Sequence, residues 1–358
     1  MKSARLLSLT LLIVLVFVAL AQEVAPAPQQ QQQQGTEAEQ QPQAEKADGK
    51  RLPTGPPVTT IKVPPPPLDP DAFRVSSDVE LVLLDVSVKD SDGGFVSGLK
   101  QSDFRVFEDK VDQRVTVFQA QDVPVTVGLI VDNSGSVRSK KPEIVTAALT
   151  FVKNSNPKDE LFIVNFNDRV SMGLPDGVPF SDNTKLLRDG LLLNPARGRT
   201  ALYDALIRGF DHLKEGHLDK KTLVLISDGG DNMSNTTHDE LMRRAELSTA
   251  TVYTVGIYDS QDKDRNPGFL KRLAKVTGGE VHLPGERESL VGVCEKIAKD
   301  IRNRYTIGYV PSNRDFNGKT RRLKVTAAAP DGKKYTVRTR THYIAPGSEM
   351  SARREETR

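Results

Sequence analysis

Five oxygen-bearing residues fall at spacings that suit a hard cation. Asp132, Ser134 and Ser136 stand at i, i+2, i+4 directly after the apolar run Val125–Val131, with Gly135 between the two serines. Thr200 follows Gly198-Arg199 at the expected opening of a helix. Asp228 follows the run Leu223–Ile226 within Ser227-Asp228-Gly229-Gly230. Two carboxylates and three hydroxyls, with no His or Cys, suit Mg²⁺ or a related divalent ion (Mn²⁺ or Ca²⁺), with water completing the shell. Asp, Ser and Thr are each also ordinary capping residues; it is the combination that favours a metal. Two carboxylates balance a divalent charge, and neutral hydroxyls leave the ion its attraction for a carboxylate from outside. Such a set points to recognition rather than to a closed structural site.

These residues need elements that bring them to one edge. From Val123 to Arg302, apolar runs alternate with helical patterns. The runs are Val125–Val131, Leu161–Phe166, Leu223–Ile226 and Val252–Ile257, with Val170–Leu174 as a short edge strand. Ile144, Ala147, Ala148, Phe151 and Val152 repeat at helical spacing, as do Leu202, Ala205, Leu206, Gly209 and Phe210. Leu290, Val293, Cys294, Ile297, Ala298 and Ile301 form the longest stripe, on which Cys294 reads as a small buried hydrophobe. Continuous apolar strands between amphipathic helices predict an α/β fold, doubly wound around a mostly parallel central sheet. Ligands of such sheets bind at the carboxyl ends of the strands.

Short alternating segments flank this stretch. In 76–120, Phe104–Phe107 and Val115–Phe118 read as a hairpin across Glu108–Asp112, with a separate turn at Asp90–Gly94. In 305–345, Arg321–Thr326 and Tyr335–Thr341 read as a hairpin across Pro330-Asp331-Gly332. Each piece is too small to be stable alone. Ser76–Ala120 has net charge −4, and Arg304–Tyr343 has net charge +8. Both considerations favour one split β-sandwich, 76–120 with 305–345, into which 123–302 is inserted; the alternative is two separate β extensions. The basic excess reads as a solvated sheet face.

The order Asp-x-Ser-x-Ser after the first core strand, Thr at a helix start, and Asp-Gly after the fourth strand resembles the metal-ion-dependent adhesion site of von Willebrand factor A (VWA) domains. The resemblance covers Val123–Arg302, about half the chain, and holds at all five positions. It implies that Ser134, Ser136 and Thr200 approach the metal directly or through water, and that Asp132 and Asp228 act largely through water and hydrogen bonds. It also implies that an acidic residue of a partner protein completes the shell. Ser102–Val106 and Glu108-Asp109 are further similar to secreted bacterial VWFA-related proteins.

The ends read differently. Lys2 and Arg5, the apolar Leu6–Leu20 and the small residues of Ala19-Leu20-Ala21 predict a signal peptide over 1–21, a retained anchor being the alternative. Residues 22–75 are rich in Gln and Pro, including Gln29–Gln34 and Pro64–Pro67, and predict a disordered, partly polyproline-II tether. Residues 346–358 predict a loose tail. The chain is therefore expected to be secreted, periplasmic or in the cell envelope, touching a membrane only if the signal segment is kept.

Other chemistries find no support. A net charge of +3 over 358 residues excludes a dominantly electrostatic nucleic-acid partner. One cysteine excludes an intrachain disulfide. The five histidines are scattered, without His-Glu-x-x-His, and Gly-x-Ser-x-Gly is absent. Gly318-Lys319-Thr320 lacks the rest of a P-loop, and Asp90-Ser91-Asp92-Gly93 has no closing acid for a calcium loop. Asp259, Asp262 and Asp264 read as a solvated acidic loop. Asn232 and Asn235 fit glycosylation acceptors, too near the metal loop to be modified. With no candidate base beside the metal, a hydrolase has no general acid–base partner. The expected function is metal-dependent protein binding without catalysis and without a small-molecule substrate; the alternative is a metal-independent envelope scaffold.

Overall fold

The computed structural model describes residues 81–120, 122–257, 264–285, 288–315, 317–328 and 335–347. The expected signal peptide and tether, most of the expected tail, Asp259, Asp262 and Pro330–Gly332 lie outside the described residues. Four strands come first: β1 (Val82–Lys89), β2 (Phe104–Glu108), β3 (Val111–Gln113) and β4 (Val115–Gln119). Then follow β5 (Val125–Asp132), α1 (Lys141–Asn154), β6 (Glu160–Phe166), β7 (Val170–Met172), α2 (Thr184–Leu192) and α3 (Leu202–His212). Next come β8 (Lys220–Ser227), α4 (His238–Leu247), β9 (Thr251–Gly256), α5 (Pro267–Thr277), β10 (Val281–His282) and α6 (Leu290–Arg302). The last strands are β11 (Tyr305–Tyr309), β12 (Thr320–Ala327), β13 (Thr336–Arg338) and β14 (His342–Ile344).

The six-stranded sheet has the order β10-β9-β8-β5-β6-β7 and is parallel except for β7, which runs antiparallel to β6. β5 is buried along its full length, as a strand covered on both faces requires. α1 packs against α2 and α6; α3 packs against α4, and α4 against α5. Local signals delimit the helices. Asn183, Thr237, Asn266 and Ser289 accept backbone N–H bonds at the starts of α2, α4, α5 and α6, and Gly278 (φ 80°) ends α5. The chain winds from β5 outward to β6 and β7, then returns to the other side of β5 with β8. The winding reverses between β5 and β8, and the crevice beyond their carboxyl ends is where such a sheet offers a site.

Strands from both flanking pieces mix in two four-stranded sheets, β13-β1-β11-β4 and β14-β12-β2-β3. They enclose one core that includes Val82, Leu84, Val86 and Val88 of β1, together with Val106, Ile307, Tyr309 and Val325. β1 turns these residues inward, while Asp85, Ser87 and Lys89 alternate onto its other face, toward the α/β unit.

Two expected hairpins are corrected. β2 pairs with β3, not with 115–118; β4 pairs with β11 in the opposite sheet. Asp109 and Lys110 (φ 47° and 72°) make a two-residue turn, and the chain crosses between sheets after Gln113. Likewise β12 pairs with β2 and β14, while 336–338 joins β1. The basic excess of the last stretch is also only partly solvated: Arg304, Arg321 and Arg340 are buried. Arg321 meets Glu108 at 3.0 Å, Arg304 meets Asp85 at 2.9 Å, and Arg340 donates to the Ser248 carbonyl at 2.6 Å. Two of these contacts join the acidic and basic flanking pieces directly.

Candidate metal centre

Asp132 ends β5 and Asp228 follows β8, so the two carboxylates flank the crevice where the winding reverses. Asp132 is fully buried. Its Oδ1 accepts the Ser134 amide at 2.8 Å and its Oδ2 the Ser227 hydroxyl at 2.7 Å. Ser134 Oγ lies 3.0 Å from Ser136 Oγ, and Ser136 Oγ donates to Asp228 Oδ2 at 2.6 Å. The other Asp228 oxygen accepts the Gly230 amide at 2.8 Å. Four of the five predicted residues thus form one continuous chain of hydrogen bonds.

Thr200 comes to the same edge by a different route. The Gly135 amide donates to the Gly198 carbonyl at 3.0 Å, tying the serine loop to the segment before α3. A Cβ on Gly135 would come within 3.4 Å of that carbonyl, and Gly198 itself (φ 81°) holds a left-handed conformation that favours glycine. The Thr200 amide donates to Asn232 Oδ1 at 2.9 Å. The Thr200 carbonyl accepts the amides of Asn232 and Met233 at 3.0 and 3.1 Å. Thr200 is therefore placed through its backbone, two residues before α3 rather than at its first turn.

Burial pushes the Asp132 carboxyl above its ordinary value, against the hydrogen bonds from Ser134 and Ser227 that favour the ionised form. Burial also pulls the Lys141 ammonium down to about 8, opposed by the charge of Asp132. Lys141 leads α1, donates to the Leu191 carbonyl at 3.0 Å and bonds Asn133 Oδ1. Asn133 in turn donates to Asn165 Oδ1 at 3.0 Å. The floor of the site is a polar layer that holds the serine loop from below.

The donor set fits a small hard cation. Three oxygens, Ser134 Oγ, Ser136 Oγ and Asp228 Oδ2, converge with successive separations of 3.0 and 2.6 Å. A cation there would also favour the ionised form of buried Asp132. Ser227, Asn232 and Lys141 escape the sequence reading. Ser227 and Asn232 border the Asp-Gly-Gly turn, which is the available signal. Nothing in the sequence marks Lys141.

Residues 127–230 match the family model of the von Willebrand factor type A domain. No curated protein matches the chain. Among solved structures, a von Willebrand factor type A protein from Catenulispora acidiphila is 14% identical (TM-score 0.45), over 78% of this chain and 76% of that one. The manganese-loaded TRAP protein of Plasmodium vivax is 13% identical (TM-score 0.41), over 66% and 97%. The vWF domain of the type V pilus tip protein Mfa5 from Porphyromonas gingivalis is 14% identical (TM-score 0.42), over 51% and 96%.

Proposed function

We propose that this chain, which carries a von Willebrand factor type A domain at residues 127–230, is an exported, non-enzymatic binding module. It grips a partner protein through a divalent ion and the partner's Asp or Glu. Domains of this family commonly mediate protein–protein interaction. The observation that carries the metal-dependent form is the chain of hard oxygens from Ser134 through Ser136 to Asp228, backed by buried Asp132. Ser134, Ser136 and Asp228 would hold the ion, with Thr200 beside them and Asp132 orienting the serine loop. When bound, the ion would supply an electrophilic point for an incoming carboxylate. The chain's own residues set the loop geometry and present the crevice to solvent at Ser136, the exposed member of the set.

Thermal melting tests this reading. A ligand that binds only the native state raises its stability with concentration, by about 2.7 kcal/mol at a hundredfold excess over Kd. The full chain should melt several degrees higher in Mg²⁺ or Mn²⁺ than in EDTA, and Asp132→Ala should abolish the difference. Equal melting of the wild type in metal and EDTA would leave the fold standing and put the scaffold reading first.

A further inference from the structure

Asn232 does more than border the Asp-Gly-Gly turn. It joins three segments that are distant in sequence. Its Oδ1 accepts the Thr200 amide at 2.9 Å, and its own amide donates to the Thr200 carbonyl at 3.0 Å. Its Nδ2 lies 3.5 Å from Asp264 Oδ2, which fixes which side of the carboxamide faces Thr200. The same two loops are tied again further out. Asp231 Oδ1 accepts the Tyr203 amide at 3.2 Å and the Ser234 hydroxyl at 2.5 Å, while Ser234 Oγ accepts the Asp204 amide at 3.1 Å. Asp204 returns the contact by accepting the amides of Asn235 and Thr236 at 3.0 and 2.9 Å. The turn itself has no freedom to drift. Gly229 (φ 84°) and Gly230 pass so close to the backbone of 264–266 that a Cβ on either would meet a carbonyl oxygen at 2.6 Å.

We infer that Asn232 is a positioning residue for the metal centre. It fixes Thr200 relative to Asp228 before any ion arrives, so that the hydroxyl of one loop and the carboxylate of the other are delivered as a pair. This inference rests on the metal-binding reading above. Physically, a site built from three loops binds weakly if the loops must be ordered by the ion. Residues that hold the ligands without touching the ion typically change metal affinity about 10–100-fold when removed. Asn232 is suited to this role because one residue saturates both backbone groups of Thr200: the carboxamide oxygen takes the N–H, and the adjoining main chain supplies the donor for the C=O. Alanine retains the second contact and loses the first.

The test uses the full chain, titrated with MgCl₂ by calorimetry. Its metal-free state is probed by hydrogen exchange at the Thr200 amide and by melting in EDTA. Asn232→Ala should weaken Mg²⁺ binding at least about tenfold and speed Thr200 exchange by a similar factor, with the EDTA melting temperature within about two degrees of wild type. Asn232→Asp keeps an acceptor oxygen toward the Thr200 amide, and although it sets a second carboxylate against Asp264 it should recover slow exchange and part of the affinity. The inference is overturned if Asn232→Ala binds Mg²⁺ as the wild type does, or if Thr200 exchange is unchanged. It is equally overturned if the EDTA melting temperature drops as far as affinity requires and Asn232→Asp restores neither, which is the mark of a merely structural residue. A wild type that takes up no Mg²⁺ would sink the metal-binding reading instead, and the exchange measurement would still report whether Asn232 holds Thr200.

Discussion

Cys294 sits within the buried stripe of α6, and burial alone pushes its thiol up to about 12. A thiol in that state is almost wholly protonated at about pH 8 and is not a nucleophile. Iodoacetamide should therefore leave the native protein unmodified at that pH and alkylate one site per chain after unfolding in guanidinium; labelling of the folded protein would contradict the packing of α6. The residues of the candidate site lie at the opposite extreme of legibility. That Asp132, Ser134, Ser136 and Asp228 gather at one sheet edge could be read from the sequence, because each closely follows an apolar core strand. Ser227, Asn232 and Lys141 could not. Each acts only because tertiary structure carries its donor or acceptor to a loop far away in the chain, as Asn232 reaches Thr200 across thirty-two positions.

The strands and helices are legible where a pattern determines its own outcome. A run such as Val125–Val131 states that both faces are covered, and the sheet obliges. α2, α4 and α5 are absent from the sequence-based expectations, although Asn183, Thr237 and Asn266-Pro267, with Gly278 at the far end, are ordinary start and stop residues. Their apolar stripes are short, so the caps are the stronger signal. Partnership of the β segments is not legible, because alternation assigns a side chain to a face and says nothing about which strand lies alongside. The turn at Asp109-Lys110 decides that question by closing β2 onto β3. It holds a non-glycine residue at φ 72°, in the left-handed region, where an L-residue costs about 1–2 kcal/mol relative to glycine before the entropy of glycine is counted. Lys110→Gly should raise the urea midpoint, with a net gain of about 0.5–1 kcal/mol. An unchanged or lower midpoint would show that the turn is not strained.

The sandwich and the α/β unit meet at a buried polar network. Arg304, just after α6, pairs with Asp85 of β1 at 2.9 Å and Asp300 of α6 at 3.6 Å, and donates to Tyr253 Oη at 2.8 Å and the Gly278 carbonyl at 2.9 Å. Ser87 donates to Asp300 at 2.7 Å. Burial holds the Tyr253 phenol well above its ordinary value, so it stays neutral and the countercharges of Arg304 are the two carboxylates. Burial works against ionised Asp300 too, but Arg304, Lys89 and the hydrogen bonds from Tyr253 and Ser87 outweigh it and hold its pKa below the usual 3.8. A depressed carboxylate contributes stability that is present above 3.8 and lost as pH falls through the native value. Asp300→Asn should therefore be roughly 2–3 kcal/mol less stable than wild type at neutral pH. That is less than the ~3–5 kcal/mol for a buried charge left wholly unpaired, since Arg304 keeps Asp85. The gap between the two proteins should narrow in urea titrations as pH drops from about 5 to about 3; a constant gap would mean that the carboxylate's charge is not what the network uses.

β4 leads into the α/β unit and β11 leads out of it, and these two strands are neighbours, with Gln119 opposite Thr306. The visitor thus enters and leaves through a single doorway one strand spacing wide. The sandwich is in that sense a socket: another compact domain with adjacent termini could be spliced between β4 and β11 without stretching the host. The splice must also supply an answer to Arg304, which belongs to the host's edge yet finds three of its partners, Tyr253, Asp300 and the Gly278 carbonyl, in the guest. Exchange of the inserted unit, by recombination or by design, is therefore constrained by the polar contacts across this boundary, those of Arg304, Lys89 and Ser87 among them, as well as by the length of any loop.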